Sequence, residues 1–214
     1  MSFRAPPSIV QKVLRFKSIQ IKDGKFLLWN TPGNVFPLFS TVYLNRIMEK
    51  NLGIKEAMTF FYEQGRYQAK NVYKIITQNF GYAKTITDKK KLLQFNTGQG
   101  ELAGWGKWEW KVIDFKNNLF ILSGYSTYAE EYRKIFGIQK HQVDHFGRGS
   151  CAGFIEEVIG IKVFCVETSC MATGKKKCEF MIKPVEEWND KDSNYKAQRT
   201  KDIVSGIKDI SKSL

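Results

Sequence analysis

At 214 residues the chain is long enough for one domain with short extensions, and its 43% hydrophobic and 14% aromatic residues exclude a disordered chain. No stretch approaches the roughly 18 apolar residues that cross a bilayer, and the first residues lack the apolar run of a secretory signal, so we expect a cytoplasmic protein without a membrane span. The formal net charge of +13 comes from scattered lysines, with local clusters at residues 89–91 and 175–177. We interpret this charge as a solvated surface, because no zinc-finger spacing or RNA-binding aromatic signature indicates a nucleic-acid partner.

The N-terminal part of the chain predicts a β-hairpin followed by helices. Residues 16–29 alternate apolar and polar side chains on both sides of Asp-Gly at 23–24, a pair that suits a tight hairpin turn. Helical spacing of apolar residues predicts helices over residues 38–50 and 54–80, and a shorter helix over residues 85–94 that carries a lysine cluster.

The second part of the chain alternates strand patterns with a glycine-rich helix. Residues 98–113 are interpreted as a glycine-rich bend that leads into a strand, and residues 119–125 as a second strand. A phosphate loop is excluded at this point, because the Lys-Ser or Lys-Thr pair and the following helix are missing. Residues 144–159 form an apolar helix whose glycines predict close packing against another element. Two strands, over residues 162–168 and 177–183, then form a hairpin.

The last hairpin carries the residues best suited to metal chemistry. Folding the hairpin brings Cys170 and Cys178 across from each other, with Glu167 beside them, and two thiolates with a carboxylate suit zinc. A fourth donor must come from elsewhere, and the glycine-rich helix supplies Asp144, His145 and Cys151 as candidates. The spacing alone leaves a second interpretation open, because cysteine also packs as a small buried hydrophobe. Four cysteines without a signal sequence favour thiols or metal ligands over disulfides; Cys165 is interpreted as a core residue.

Three segments resemble a known family. The segments DHFGRGSCAGF at 144–154, ETSCMATGKKKCEF at 167–180 and KPVEEW at 183–188 are similar to the 4-vinyl reductase (V4R) domain family, and the similarity extends over residues 98–188. The family includes effector-binding domains of phenol- and toluene-responsive transcriptional activators and archaeal hydrocarbon-binding proteins, with TRAPP vesicle-tethering subunits as distant structural relatives. The resemblance implies an α/β (α+β) fold with a mainly antiparallel sheet packed against helices.

The resemblance also implies a zinc site and a ligand pocket. Glu167, Cys170 and Cys178 match the zinc ligands of the family, but the family's fourth cysteine corresponds to Asp144. Three alternatives follow: Asp144 ligates as a carboxylate, Cys151 substitutes for the missing cysteine, or the metal is lost. The implied pocket is apolar and lies between sheet and helices, with aromatic candidates at Trp105, Trp108, Phe120, Tyr125 and Phe154. No histidine matches the one that holds a phenol hydroxyl in the activators, which argues against a phenol-type ligand.

The expected organisation is an N-terminal hairpin and helical region at 1–95, a V4R-like ligand and metal region at 96–188 within the same globule, and a C-terminal helix or tail at 189–214. We expect a sensor or regulatory module for a small hydrophobic or aromatic ligand, with structural zinc and a role in transcription regulation. The family resemblance implies a homodimer, and the tail is a candidate surface for a protein partner. A TRAPP-like scaffold subunit is the alternative. A reductase-type enzyme is disfavoured, because no dinucleotide fingerprint is present and only His141 and His145 titrate near neutrality.

Overall fold

A computed structural model of the chain describes five stretches, residues 19–22, 25–28, 31–33, 36–80 and 85–199. The first three are short strands, β1 (Ile19–Lys22), β2 (Lys25–Leu28) and β3 (Thr31–Gly33), which pair antiparallel in that order. Ile19 lies opposite Leu28 and Lys22 opposite Lys25, so the predicted hairpin is confirmed. Its turn at residues 23–24 lies outside the described residues.

Three helices follow the small sheet: α1 (Leu38–Leu52), α2 (Ile54–Phe80) and α3 (Ile86–Leu102). The first two match the predicted helices closely. The third begins at a capping box, in which Thr85 and Asp88 satisfy each other's backbone N–H groups.

The end of α3 corrects the sequence interpretation. The glycine-rich bend expected from residue 98 does not form, because α3 continues through Gly98 and Gly100 for two further turns. Packing explains the difference: Leu93 is fully buried, and its carbonyl accepts a hydrogen bond from Nε1 of Trp110 at 3.3 Å. Contact with the next strand therefore outweighs the low helix propensity of glycine. Residues 95 and 96, where the N-terminal region was expected to meet the V4R-like region of the same globule, both lie within this helix.

The main sheet has four strands, β4 (Gly106–Asp114), β5 (Leu119–Ser126), β6 (Val163–Ser169) and β7 (Cys178–Pro184). Their order is β4-β5-β7-β6, and every neighbouring pair is antiparallel. Strand β7 buries Cys178, Phe180 and Ile182 and leaves the residues between them partly exposed, so one face of the strand packs on the core. The mixed fold of helices and mainly antiparallel sheet is confirmed, and so is the predicted β6–β7 hairpin.

Two helices connect the strands of the sheet. Helix α4 (Thr127–Phe136) was not predicted; it is capped by Ser126 and buries Tyr128, Ala129 and Tyr132. Helix α5 (His145–Ile159) is the glycine-rich helix, and Asp144 is its N-cap residue.

Helix α5 packs on α2 at the level of the backbone. A Cβ built on Gly149 lies 1.9 Å from the carbonyl oxygen of Tyr62, and one built on Gly153 lies 2.2 Å from that of Arg66. No side chain fits at either position, so the close packing that the glycines predict is confirmed. An ion pair reinforces this contact, because the guanidinium of Arg66 binds the carboxylate of Glu156 at 2.9 Å.

The C-terminal part of the described chain folds back over β6. Helix α6 (Ser193–Gln198) places the amide of Gln198 against the main chain of Glu167, with one hydrogen bond donated to Glu167 O at 2.8 Å and one accepted from Glu167 N at 2.9 Å. Residues 200–214, which hold most of the predicted tail, lie outside the described residues. Among the helices that the structure describes, none is both long enough and apolar enough to span a bilayer.

Candidate functional site

The predicted metal ligands lie together at one end of the β6–β7 hairpin. Glu167 is near the end of β6, Cys170 follows directly after that strand, and Cys178 is the first residue of β7. A 3-10 turn (Met171–Thr173) and Gly174, with its positive φ, reverse the chain between the two cysteines. One carboxylate oxygen and the two sulfur atoms lie within 4.8 Å of one another. We call these three residues the cysteine–carboxylate corner.

The corner is buried, and its hydrogen bonds leave one oxygen atom unpaired. Burial raises the pKa of Glu167 well above its usual range. Oε2 of Glu167 accepts a hydrogen bond from the main-chain N–H of Asp144 at 3.3 Å, whereas Oε1 is buried without a hydrogen-bond partner. A hydrogen bond with Cys178 lowers the pKa of Cys170 below its usual value. Two soft sulfur ligands and an unpaired carboxylate oxygen match the donor preference of zinc.

The two candidates for a fourth ligand occupy different places. The carboxylate of Asp144 accepts hydrogen bonds from Ser126 Oγ at 2.7 Å and from Gly147 N at 3.1 Å, while its own N–H contacts Glu167. Cys151 lies two turns along α5, and burial raises the pKa of its thiol. The group of atoms within 4.8 Å includes neither residue. Asp144 therefore adjoins the corner, and Cys151 lies farther along the helix.

A buried arginine that sequence reasoning missed lies on the same helix. The guanidinium of Arg148 lies over the rings of Tyr62 and Phe164, donates to Cys165 O at 3.0 Å and approaches Nδ1 of His145 at 3.2 Å. Burial lowers the pKa of His145 well below its usual range, so this side chain is neutral at pH 7. His145 is the first residue of α5. The sequence signal was the one arginine of a helix whose other charged side chains, Glu156 and Glu157, lie near its C-terminal end.

A cavity of about 200 Å³ lies beside the corner. Two stacked aromatic pairs form much of its wall: Trp105 on Phe146 with ring centroids 5.0 Å apart, and Trp108 on Phe180 at 4.9 Å. Its lining comes from α2, α3, β4, β5, α5, β7 and adjoining residues. The lining residues are Gln68, Ala69, Val72, Asn96, Thr97, Gln99, Gly100, Ala103, Trp105, Trp108, Leu122, Asp144, Phe146, Gly147, Ser150, Cys151 and Phe180.

Of the five aromatic residues predicted for a ligand pocket, Trp105 and Trp108 line this cavity and three do not. The phenol group of Tyr125 is exposed and bonds Glu130, because strand alternation turns residue 125 away from the face of Leu122. Phe120 is buried against Phe115, and Phe154 packs on Tyr73. These three aromatics contribute to the core or the surface outside the cavity.

The cavity also contains polar side chains that the sequence did not reveal. Gln99 lies on the part of α3 that was expected to be a glycine-rich bend, and Asn96 lies just before it, beyond the predicted end of the helix at residue 94. Oε1 of Gln99 is buried without a hydrogen-bond partner. Asn96 and Gln99 face the cavity together only because α3 continues to residue 102. The sequence pattern did not predict this extension.

Comparison with known proteins supports the family resemblance. The family model described as V4R domain matches residues 136–184, whereas no curated protein sequence matches the chain. The phenol-responsive sensory domain of the transcription activator PoxR, solved with phenol, has a TM-score of 0.72 at 15% identity, over 91% of this chain and 97% of that domain.

Two further solved structures are similar. Trafficking protein particle complex subunit 3 from Naegleria fowleri, covalently bound to palmitic acid, has a TM-score of 0.50 at 9% identity, over 68% of this chain and 90% of the subunit. A vinyl-4-reductase family protein from Methanocaldococcus jannaschii has a TM-score of 0.47 at 19% identity, over 83% of this chain and 92% of that protein. The predicted resemblance is therefore confirmed: residues 136–184 match the V4R domain, within a fold similar to that of the PoxR sensory domain.

Proposed function

We propose that the chain is a regulatory module that senses a small, largely apolar ligand, and that a structural zinc ion holds one wall of its ligand cavity. The observation that carries this proposal is the position of Asp144. Asp144 lines the cavity, and its main-chain N–H donates a hydrogen bond to Glu167 in the cysteine–carboxylate corner. A ligand that displaces this wall therefore acts on the N-terminus of α5 and on the corner together.

The size of the cavity supports a ligand with one ring. An apolar cavity of about 150 Å³ is large enough to hold benzene, and the cavity here measures about 200 Å³. Its aromatic walls suit a flat apolar molecule, because stacked and edge-to-face contacts add to the burial of apolar surface. The likeness to a domain that was solved with phenol supports the same size class.

The chemistry of the corner supports zinc. Ligand atoms of a tetrahedral site with bonds of about 2.0–2.3 Å lie about 3.3–3.8 Å apart, so atoms already within 4.8 Å need only small shifts to close around an ion. The ion would satisfy Oε1 of Glu167 and the charge of the thiolates. We propose Asp144 as the fourth ligand, because its main chain already contacts Glu167. Zinc would supply no reaction step; it would fix the hairpin to α5.

The homodimer that the family resemblance implies stays a prediction, and the surface of α1 supports it. Phe39, Tyr43, Leu44 and Ile47 are each about half exposed. Three of them follow one another at four-residue spacing, so they form an apolar stripe along the helix. Contiguous apolar surface of this kind is typical of a contact between proteins.

The zinc site is tested by metal analysis of the purified protein. We expect about one zinc per chain, and Cys170→Ser and Cys178→Ser should each lose zinc and melt at a lower temperature, because metal binding is coupled to folding. Cys165→Ala is the matched control, since Cys165 is a buried cysteine on β6 outside the corner. Zinc-free wild-type protein, grown and purified with zinc present, would contradict the proposal.

The ligand cavity is tested with single-ring probes. Toluene, phenol and benzamide should quench the fluorescence of the tryptophans in the cavity wall, and Gly100→Leu should abolish binding. Gly100 lines the cavity and a Cβ added there meets no atom within 4 Å, so the longer side chain of leucine starts in open space at the cavity wall. Gly100→Ala is the control and should keep binding. Failure of every probe to bind the wild type would refute the proposed sensor.

A further inference from the structure

Three carboxamide side chains line the cavity: Gln68 on α2, and Asn96 and Gln99 on α3. The hydroxyl groups in the same wall are already engaged, because Thr97 Oγ1 donates to Gln94 O at 2.9 Å and Ser150 Oγ to Gly65 O at 3.4 Å. Oε1 of Gln99, by contrast, is buried and accepts no hydrogen bond. The amide groups are therefore the polar part of the lining that remains available to a ligand.

The amides of α3 lie on one face of the helix. Asn96, Gln99, Gly100 and Ala103 follow the i, i+3, i+4, i+7 spacing, and all four line the cavity. A stripe that served only the core would be apolar at these positions. A buried acceptor without a partner is costly, and native proteins rarely keep one without a functional reason. The position of Gln99 thus points to a ligand that supplies a hydrogen-bond donor.

The charge of the lining restricts the ligand further. Among the lining residues that the structure describes, none is a lysine, arginine or histidine, and the one carboxylate belongs to Asp144, whose oxygens already accept hydrogen bonds. An anionic ligand would lose its hydration without gaining a cation, which disfavours carboxylic acids and phosphates. The ligand that suits this lining is neutral.

We propose, on the basis of the proposed sensor function, that the cavity selects a neutral single-ring ligand with an amide-type group that both donates and accepts hydrogen bonds, of the carboxamide or lactam class. Asn96 and Gln99 are the specificity-determining residues. Each carboxamide offers a donor and an acceptor, so the pair can bind the two edges of a ligand amide. The ring lies against Trp105 and Trp108. A ligand hydroxyl group can pair with only part of the donors and acceptors of Asn96 and Gln99, and a methyl group can pair with none of them.

The experiment compares four probes of similar size, benzamide, phenol, toluene and benzoate, by isothermal titration calorimetry on the full chain. We expect benzamide to bind at least about tenfold more tightly than toluene, since one unsatisfied buried hydrogen-bonding group costs about that factor. Benzoate should bind most weakly. Gln99→Leu should weaken benzamide about tenfold and leave toluene unchanged or improved, and Asn96→Leu should act in the same direction. The exposed Gln64 on α2 provides the control variant Gln64→Leu, which should change nothing.

The outcomes separate this inference from the proposed function. If toluene binds as tightly as benzamide, or if Gln99→Leu leaves the preference unchanged, the amide selection is wrong while the apolar sensor remains. Preferred binding of benzoate would likewise overturn the inference. If no probe binds the wild type, the sensor proposal itself fails, and the amide selection fails with it.

Discussion

The main-chain N–H of Asp144 donates a hydrogen bond to Oε2 of Glu167 at 3.3 Å, which joins the start of α5 to β6 across 23 residues of sequence. The side chain of Asp144 also caps α5 through Gly147 N and accepts from Ser126 Oγ. One residue therefore serves the helix end, the cysteine–carboxylate corner and the cavity wall. A substitution of Asp144 is therefore informative only if it changes one of these roles and keeps the others.

Asp144→Asn separates the cap from the proposed fourth zinc ligand. Asparagine is as good an N-cap as aspartate, so α5 should stay capped, whereas a neutral amide is a poor zinc ligand. We expect zinc to bind about 10- to 100-fold more weakly, as measured by competition with a chelator. Cys151→Ser should leave zinc affinity unchanged. The reverse result, a loss in Cys151→Ser alone, would assign the fourth position to Cys151.

Gly149→Ala should destabilise the protein by about 3 kcal/mol or more. The added methyl group would clash with the carbonyl oxygen of Tyr62, and both groups belong to helix backbones that cannot move apart without losing their packing. Gly100→Ala is the matched helix glycine: its Cβ meets open space, so the substitution should stabilise by up to about 1 kcal/mol through helix propensity. Urea unfolding of the two variants measures both values. Equal stability of Gly149→Ala and wild type would contradict the backbone contact.

Glu49 should make stability depend on acid pH. Burial favours a raised pKa, but hydrogen bonds with His141, Tyr132 and Arg46 outweigh it and lower the pKa of Glu49 below its ordinary value of 4.5. The ionised carboxylate therefore stabilises the fold above pH 4.5, and this contribution is lost as the pH falls through the lower pKa of the folded state.

The measurement is the melting temperature of wild type and Glu49→Gln between about pH 6 and pH 3. Near pH 6 the wild type should melt at a higher temperature than Glu49→Gln. The difference between the two melting temperatures should shrink as the pH falls. Glu187→Gln, at an exposed position, is the control and should follow the wild type. A difference that stays constant over this range would show that Glu49 does not titrate as expected.

The apolar stripe on α1 should control self-association. If the chain is a dimer through this surface, Ile47→Glu should dissociate it, because a charge placed in an apolar contact loses its hydration without a partner. Tyr67→Glu replaces an aromatic residue of similar exposure on α2 and should leave the dimer intact. Sedimentation velocity measures both. A wild type that sediments as a monomer at every concentration would exclude the homodimer.

Much of this architecture could be predicted from the sequence, because period-two and helical patterns are local. The predicted meeting of Cys170 and Cys178 depended only on a hairpin, which is also a local structure. Helix α4 was missed because ten residues give fewer than three turns of periodicity. The cavity could not be predicted in detail, because its lining comes from six elements and its amides become neighbours only when α3 continues past Gly98.

The glycine contact between α2 and α5 has a mechanical consequence. Side chains can change rotamer to make room, but a carbonyl group held in a helix cannot, so neither helix can slide along the other without a collision of main chains. The two helices therefore move as one rigid block. If the proposed ligand displaces the wall at Asp144, we therefore expect α2 to follow α5, and a label on α2 would report occupancy at a distance from the cavity.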